Sequence, residues 1–101
     1  MRVLGIDPGT AATGYAIVEG DRRRYRLLEC GVVRTGRDED FPLRLLAIHE
    51  GILEVIERHG PDCLAVEGVF YRKNARTAVV LAHARSAAML AGALRGLPVL
   101  E

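Results

Sequence analysis

Every residue from Cys63 to Val66 is apolar. A strand that turns apolar side chains to both faces has to be covered on both, as parallel strands in α/β layer structures are. The flanking sequence agrees. Upstream, Leu45, Ile48, His49, Ile52, Leu53 and Ile56 fall at i, i+3, i+4, i+7, i+8 and i+11, which is one face of a helix. Pro42 suits the first turn of that helix, and Gly60-Pro61 stops it. Downstream, an Ala-rich stretch predicts a second helix over Ala75–Leu94, ended by Gly96-Leu97-Pro98, after which Val99-Leu100 opens another strand. The first third reads as three strands, at Val3–Asp7, around Tyr15–Glu19 and over Tyr25–Val33. The turns between them are too short for anything but an antiparallel meander. The order βββαβαβ predicts an α/β fold with a mixed sheet, in which the meander is followed by right-handed crossovers to parallel strands. With 101 residues and no repeat or linker, residues 1–101 are expected to form a single domain.

That order has a chemical consequence. Asp7 closes the first strand and Glu67 closes the fourth. If the fourth lies parallel beside the first, both carboxylates project from the carboxyl end of the sheet, where open α/β sheets place their ligands. The residues alone leave two readings of Asp7, an Asx-turn at a strand end or a ligand for a cation. Glu67 ends an apolar strand with no cation adjacent in sequence, so its partner has to come from elsewhere. A divalent metal would satisfy both acids. Mg²⁺ is commonly held by one or two carboxylates together with phosphate oxygens and water, which points to phosphate-ester chemistry.

Fourteen basic and 13 acidic residues nearly cancel, but they are segregated along the chain. Residues 20–37 carry a net +4 and residues 38–68 a net −6, whereas residues 69–100 hold Arg72, Lys73, Arg76, Arg85 and Arg95 with no carboxylate. Such a stretch is either a solvated arginine-rich face or a contact surface for an anion. The segment Gly68–Arg76 favours the second reading. Phe70 and Tyr71 adjoin Arg72, Lys73 and Arg76, so rings on which a base can stack sit among cations that can neutralise phosphates. Asn74 is most simply the N-cap of the helix that follows. His49 and His83 have no partner at metal-ligand spacing and read as packed; Tyr15, Cys30 and Cys63 read as core. The two cysteines form no CxxC and are expected to be reduced thiols of a cytosolic protein. No uncharged apolar run approaches the ~18–20 residues of a bilayer crossing, and the N-terminus lacks a signal-peptide pattern. The expectation is a cytoplasmic domain with no membrane contact.

Taken together, Leu4-Gly5-Ile6-Asp7-Pro8-Gly9-Thr10, Thr13-Gly14-Tyr15, Ala65-Val66-Glu67, Val69-Phe70 and Lys73-Asn74-Ala75 resemble the RuvC family of Holliday junction resolvases. Ala82-His83-Ala84-Arg85 and Leu97-Pro98-Val99-Leu100-Glu101 extend the resemblance over the whole chain. The opening motif is shared with actin-like and sugar-kinase ATPases; its combination with Glu67 and the aromatic-basic segment is specific. The resemblance implies a ribonuclease H-like fold and a homodimer that sets two active sites on a four-way DNA junction. It also implies symmetric nicking of two strands in recombination and repair, with two Mg²⁺ (or Mn²⁺) per active site in the complete family member. RuvA and RuvB, the branch-migration proteins, are the implied partners. By matched position Asp7 and Glu67 are similar to the first two metal-binding catalytic carboxylates, and Phe70 to the aromatic that stacks at the crossover. Arg72, Lys73, Asn74, Arg76 and Arg85 fall where the resemblance implies DNA contacts. Family members continue past the position of Glu101 through C-terminal helices that bear the remaining acids. On this reading the fold lacks those helices, one face of the sheet is left bare, and the chain binds DNA without cutting it. Two alternatives stand beside it: a structure-selective DNA-binding module without catalysis, and an actin-like ATPase fragment using Asp7 and Thr10 around Mg-phosphate. The ATPase reading requires a second phosphate loop and leaves the basic stretch unexplained.

Overall fold

Strand and helix boundaries follow the residue pattern closely. The computed structural model describes residues 1–36, 38–68 and 75–101, with the backbone alone for Ala75 and Arg76. The chain runs β1 (Arg2–Asp7), β2 (Ala12–Gly20), β3 (Tyr25–Arg34), α1 (Phe41–His59), β4 (Cys63–Val66), α2 (Ala75–Leu94) and β5 (Val99–Leu100). The five strands form one sheet in the order β3-β2-β1-β4-β5. β1 and β2 pair antiparallel, as do β2 and β3, whereas β4 lies parallel to β1 and β5 parallel to β4. The apolar β4 is therefore an interior strand.

Helix α1 begins after Asp40 with Pro42 in its first turn, where the missing amide hydrogen costs nothing. It ends at Gly60, whose φ of 57° is left-handed and whose N–H caps the Ile56 carbonyl at 2.8 Å. Its periodic stripe buries Ile48, Ile52 and Ile56, with Val55 beside them. These side chains meet Leu4 and Ile6 of β1, Ile17 of β2, Leu64 and Val66 of β4, and Ala84, Ala87, Ala88 and Ala91 of α2 in one core. The small alanines let α2 approach the sheet closely. Gly51 plays the same part on α1: a Cβ there would lie 2.8 Å from both Val33 methyls.

Cross-strand partners share a face, so the register sorts the side chains. Leu4 pairs with Ile17 and Leu64, and Ile6 pairs with Tyr15 and Val66; all of these turn toward the helices. Gly5, Asp7, Gly14, Ala16, Ala65 and Glu67 therefore point to the opposite face. Cys30 pairs with Ala16 on that same face and is exposed, which corrects its assignment to the core; Cys63 is buried as expected. The correction has a local cause. On β3 it is Glu29, Gly31 and Val33 that turn inward, since Glu29 is taken up by α1, the Tyr15 ring covers Gly31, and Val33 meets Gly51.

Glu29 is the polar junction of this layer. Its carboxylate accepts the Tyr15 hydroxyl at 2.6 Å, Arg58 Nε and Nη2 at 3.0 and 2.6 Å, and lies 2.6 Å from His59 Nε2. Arg58, then Tyr15 and His59, hold the Glu29 carboxyl well below the usual glutamate range, and the Glu29 bond raises the Tyr15 phenol. The folded state thus binds this proton less readily than the unfolded chain. Its contribution is present in full above the ordinary glutamate value of 4.5 and is lost as pH falls below it. Thermal melts between pH 3 and pH 6 should therefore show a falling Tm on the acid side, with a flatter profile for Glu29→Gln. Parallel profiles for the two proteins would contradict this role.

The stretch Thr77–Leu94 of α2 reaches the length and apolarity of a membrane span, with Arg85 as its one charged residue. One side of the helix is core and the other leaves Val79, Leu90 and Leu94 exposed. His83 and His49 line a groove between the two helices, and the His83 ring meets Phe41 edge-on at 5.5 Å.

Candidate active site

Asp7 and Glu67 are brought together by the β1–β4 pairing. Ile6 is opposite Val66 in this parallel pair, and the Glu67 N–H reaches the Ile6 carbonyl at 3.4 Å. The two acids are thus the next residues on neighbouring strands, one inter-strand spacing of about 4.8 Å apart along the sheet. Alternation turns both to the face away from the helices. Both are exposed there and line one cleft of about 630 Å³. Gly5, Gly14, Ala16 and Ala65 form its floor, so little side-chain volume stands between the carboxylates and a large ligand. Leu100 and Glu101, at the end of β5, close one side.

The turn that follows Asp7 is held from within. Thr13 is fully buried; its hydroxyl donates to the Gly9 carbonyl at 2.6 Å and accepts the Gly9 N–H at 3.2 Å. Gly9 is required by space, because a Cβ there would lie 2.3 Å from the Ala12 carbonyl oxygen. From the other side, the Thr35 N–H donates to Ala11 at 3.1 Å, the Thr35 hydroxyl donates to the Thr10 carbonyl, and Arg44 Nε donates to the Thr35 hydroxyl at 3.3 Å. Thr13 belongs to the Thr13-Gly14-Tyr15 motif, whereas Thr35 does not stand out in the sequence. Their roles depend on hairpin closure and on where α1 begins.

Of the other residues singled out in the sequence, Phe70, Arg72, Lys73 and Asn74 lie outside the described residues, as does the Arg76 side chain. Arg85 is described, and it faces the acids' end of the sheet. Its Nε donates to the Glu67 carbonyl at 3.1 Å and its Nη2 pairs with the Glu101 carboxylate. Glu101 carries the same sequence signal as the two acids: β5 is a third parallel strand, and the residue that ends it arrives at the same edge as Asp7 and Glu67.

The donor set suits a hard cation. Two carboxylates on one open face supply oxygen ligands only and leave room for phosphate oxygens and water. Among the described residues no group of three or more His, Cys, Asp or Glu side chains converges, so Asp7 and Glu67 are the pair these residues offer.

The family model for the crossover junction endodeoxyribonuclease RuvC matches residues 3–101. The chain belongs to the RuvC family. It is 48% identical over all 101 residues to the crossover junction endodeoxyribonuclease RuvC of Desulforamulus reducens and to that of Geobacter sulfurreducens, covering 62% of each. This RuvC-family chain thus spans about three-fifths of the length of the curated relatives it matches. Among solved structures it superposes on Thermus thermophilus RuvC in complex with a Holliday junction substrate with a TM-score of 0.92 and 35% identity, over 98% of this chain and 61% of that one. The yeast mitochondrial Holliday junction resolvase, at 17% identity and a TM-score of 0.63, shows the fold alone, covering 99% of this chain and 51% of that one. The fold is ribonuclease H-like, as the RuvC resemblance implies.

Proposed function

We propose that this chain carries the catalytic sheet of a Holliday junction resolvase, a divalent-metal-dependent endonuclease that nicks two strands of a four-way junction symmetrically in recombination and repair. The observation that supports this most directly is the adjacency of Asp7 and Glu67 on the open face, at the carboxyl ends of neighbouring parallel strands. These two residues would hold Mg²⁺ or Mn²⁺. When bound, such ions supply charge neutralisation at a phosphodiester and lower the pKa of water. The protein's share is to fix the two carboxylates on rigid strands, to hold the turn after Asp7 through Thr13, and to leave the glycine and alanine floor clear for a DNA backbone. Phe70, Arg72, Lys73, Asn74 and Arg76 lie within the nine residues after Glu67. They are proposed to stack at the crossover and to neutralise phosphates beside the acids.

A second copy of the chain completes the reading, because two symmetric nicks need two sites. The stripe of Val79, Leu90 and Leu94 on α2 offers an apolar face for such a homodimer. RuvA and RuvB are the proposed functional partners, and the cytoplasm the proposed compartment. The test is incubation of the purified protein with a synthetic four-way junction and Mg²⁺ or Mn²⁺. In a resolvase that joins this sheet to the family's remaining acids, paired nicks at symmetric positions are expected, with linear duplex of the same sequence left intact. Equal cutting of linear duplex would overturn the junction specificity, and salt-sensitive binding without nicks would support a structure-selective binding module instead.

A further inference from the structure

Arg85 is the one charged residue between Arg76 and Arg95, and its side chain is only 18% exposed. Burying a guanidinium costs solvation that an apolar residue on this Ala-rich helix would not have to replace. Its two partners show what the charge is used for. One is the main-chain carbonyl of Glu67, at 3.1 Å from Nε; the other is the carboxylate of Glu101. The Glu67 peptide is the last to touch the ladder between β1 and β4, through a long 3.4 Å bond from its N–H to Ile6. Among the described residues no further bond of that ladder follows. The charge-assisted bond from Arg85 takes over there, reaching from α2 to the residue whose carboxylate stands beside Asp7.

Glu101 has the complementary part. It lines the same cleft as Asp7 and Glu67, and a third free carboxylate would add repulsion there. Paired with Arg85, its charge is neutralised, and so is a guanidinium that would otherwise repel a cation. We propose that Arg85 and Glu101 form a positioning pair for the acid site. Arg85 fixes the main chain of Glu67 so that its carboxylate is aimed beside that of Asp7, and Glu101 fixes Arg85. This assigns Arg85 to the metal site and not to a DNA phosphate, and it rests on the reading of Asp7 and Glu67 as metal ligands.

Partners that orient a metal's ligands typically change affinity by about 10–100-fold when removed. The test is a titration of Mn²⁺ into the purified protein without DNA, read by the electron paramagnetic resonance signal of free Mn²⁺, with thermal melts confirming that each variant is folded. Arg85→Gln is expected to weaken binding by about 10–100-fold and Glu101→Gln by about 10-fold, with Arg85→Lys recovering part of the loss. Glu101→Gln leaves the arginine in place, so it tests the pair even if Arg85→Gln fails to fold. Asp7→Asn is the control for the underlying reading, and it should abolish binding. If Asp7→Asn loses Mn²⁺ while Arg85→Gln and Glu101→Gln keep wild-type affinity, the positioning pair is wrong and the ligand reading stands. If Asp7→Asn binds as well as wild type, the ligand reading falls and the pair with it. A parallel measurement of junction binding against salt separates the phosphate role. Loss of about one unit of salt slope in Arg85→Gln, with Mn²⁺ affinity unchanged, would make Arg85 a backbone contact.

Discussion

In a resolvase that joins this sheet to the family's remaining acids, as proposed, Asp7→Asn should lower divalent-dependent junction nicking by on the order of 10²–10³-fold or more while leaving the fold intact, the scale on which loss of one preorganised charge stabiliser acts. Asparagine keeps the shape of the side chain and removes the charge that would hold a cation. The residue is exposed at a strand end, so stability should stay within about 0.5 kcal/mol of wild type. Relief of repulsion with Glu67 acts in the stabilising direction. Glu67→Gln should behave alike, and the double variant should cost little more than either single, because the two residues act as one site. Single-turnover nicking of a labelled four-way junction, run beside denaturant melts, measures both quantities. Asp7→Asn with wild-type nicking would remove the acid pair from the mechanism.

Leu64→Ala should have the opposite signature, a large loss of stability from a position that no substrate touches. Leu64 is fully buried on β4, paired with Leu4 of β1 and Val99 of β5. Its Cδ1 lies 3.1 Å from where a Cβ on Gly92 would stand, so α2 presses directly on it. Truncation removes apolar contacts and leaves a cavity between two rigid elements, at a cost of about 2–5 kcal/mol. A domain of this size has only about 5–15 kcal/mol in total, so the urea midpoint should fall steeply. A midpoint within experimental error of wild type would mean that α2 closes over the gap. That outcome would contradict the close packing seen at Gly92.

The helix α1 was legible because its signal is local: six side chains at helical spacing lie on one face, bounded by Pro42 and Gly60. β4 was legible for a related reason, since four apolar residues in a row have only an interior strand to go to. The adjacency of Asp7 and Glu67 took one further step, from element order to parallel pairing. β3 misled at Cys30 because both of its faces carry apolar residues. The face that turns inward includes Glu29, whose burial is compensated by Arg58, His59 and Tyr15 from elements up to 30 residues away. Arg85 likewise has partners that its own stretch of sequence does not show. An arginine in a stretch without carboxylates reads as a free cation until β5 delivers Glu101 beside it.

By itself the sequence determined the elements, their order and the two acids at strand ends, because hydrophobic period, turn chemistry and strand termination act within a few residues. The tertiary structure alone decided which charges are free and which are occupied. It put Thr13 behind the turn that carries Asp7, Glu29 under α1, and Arg85 between Glu67 and Glu101. Each of these contacts depends on the register and spacing of packed elements, and the free energy that sets them is burial of a shared core that no single segment contains.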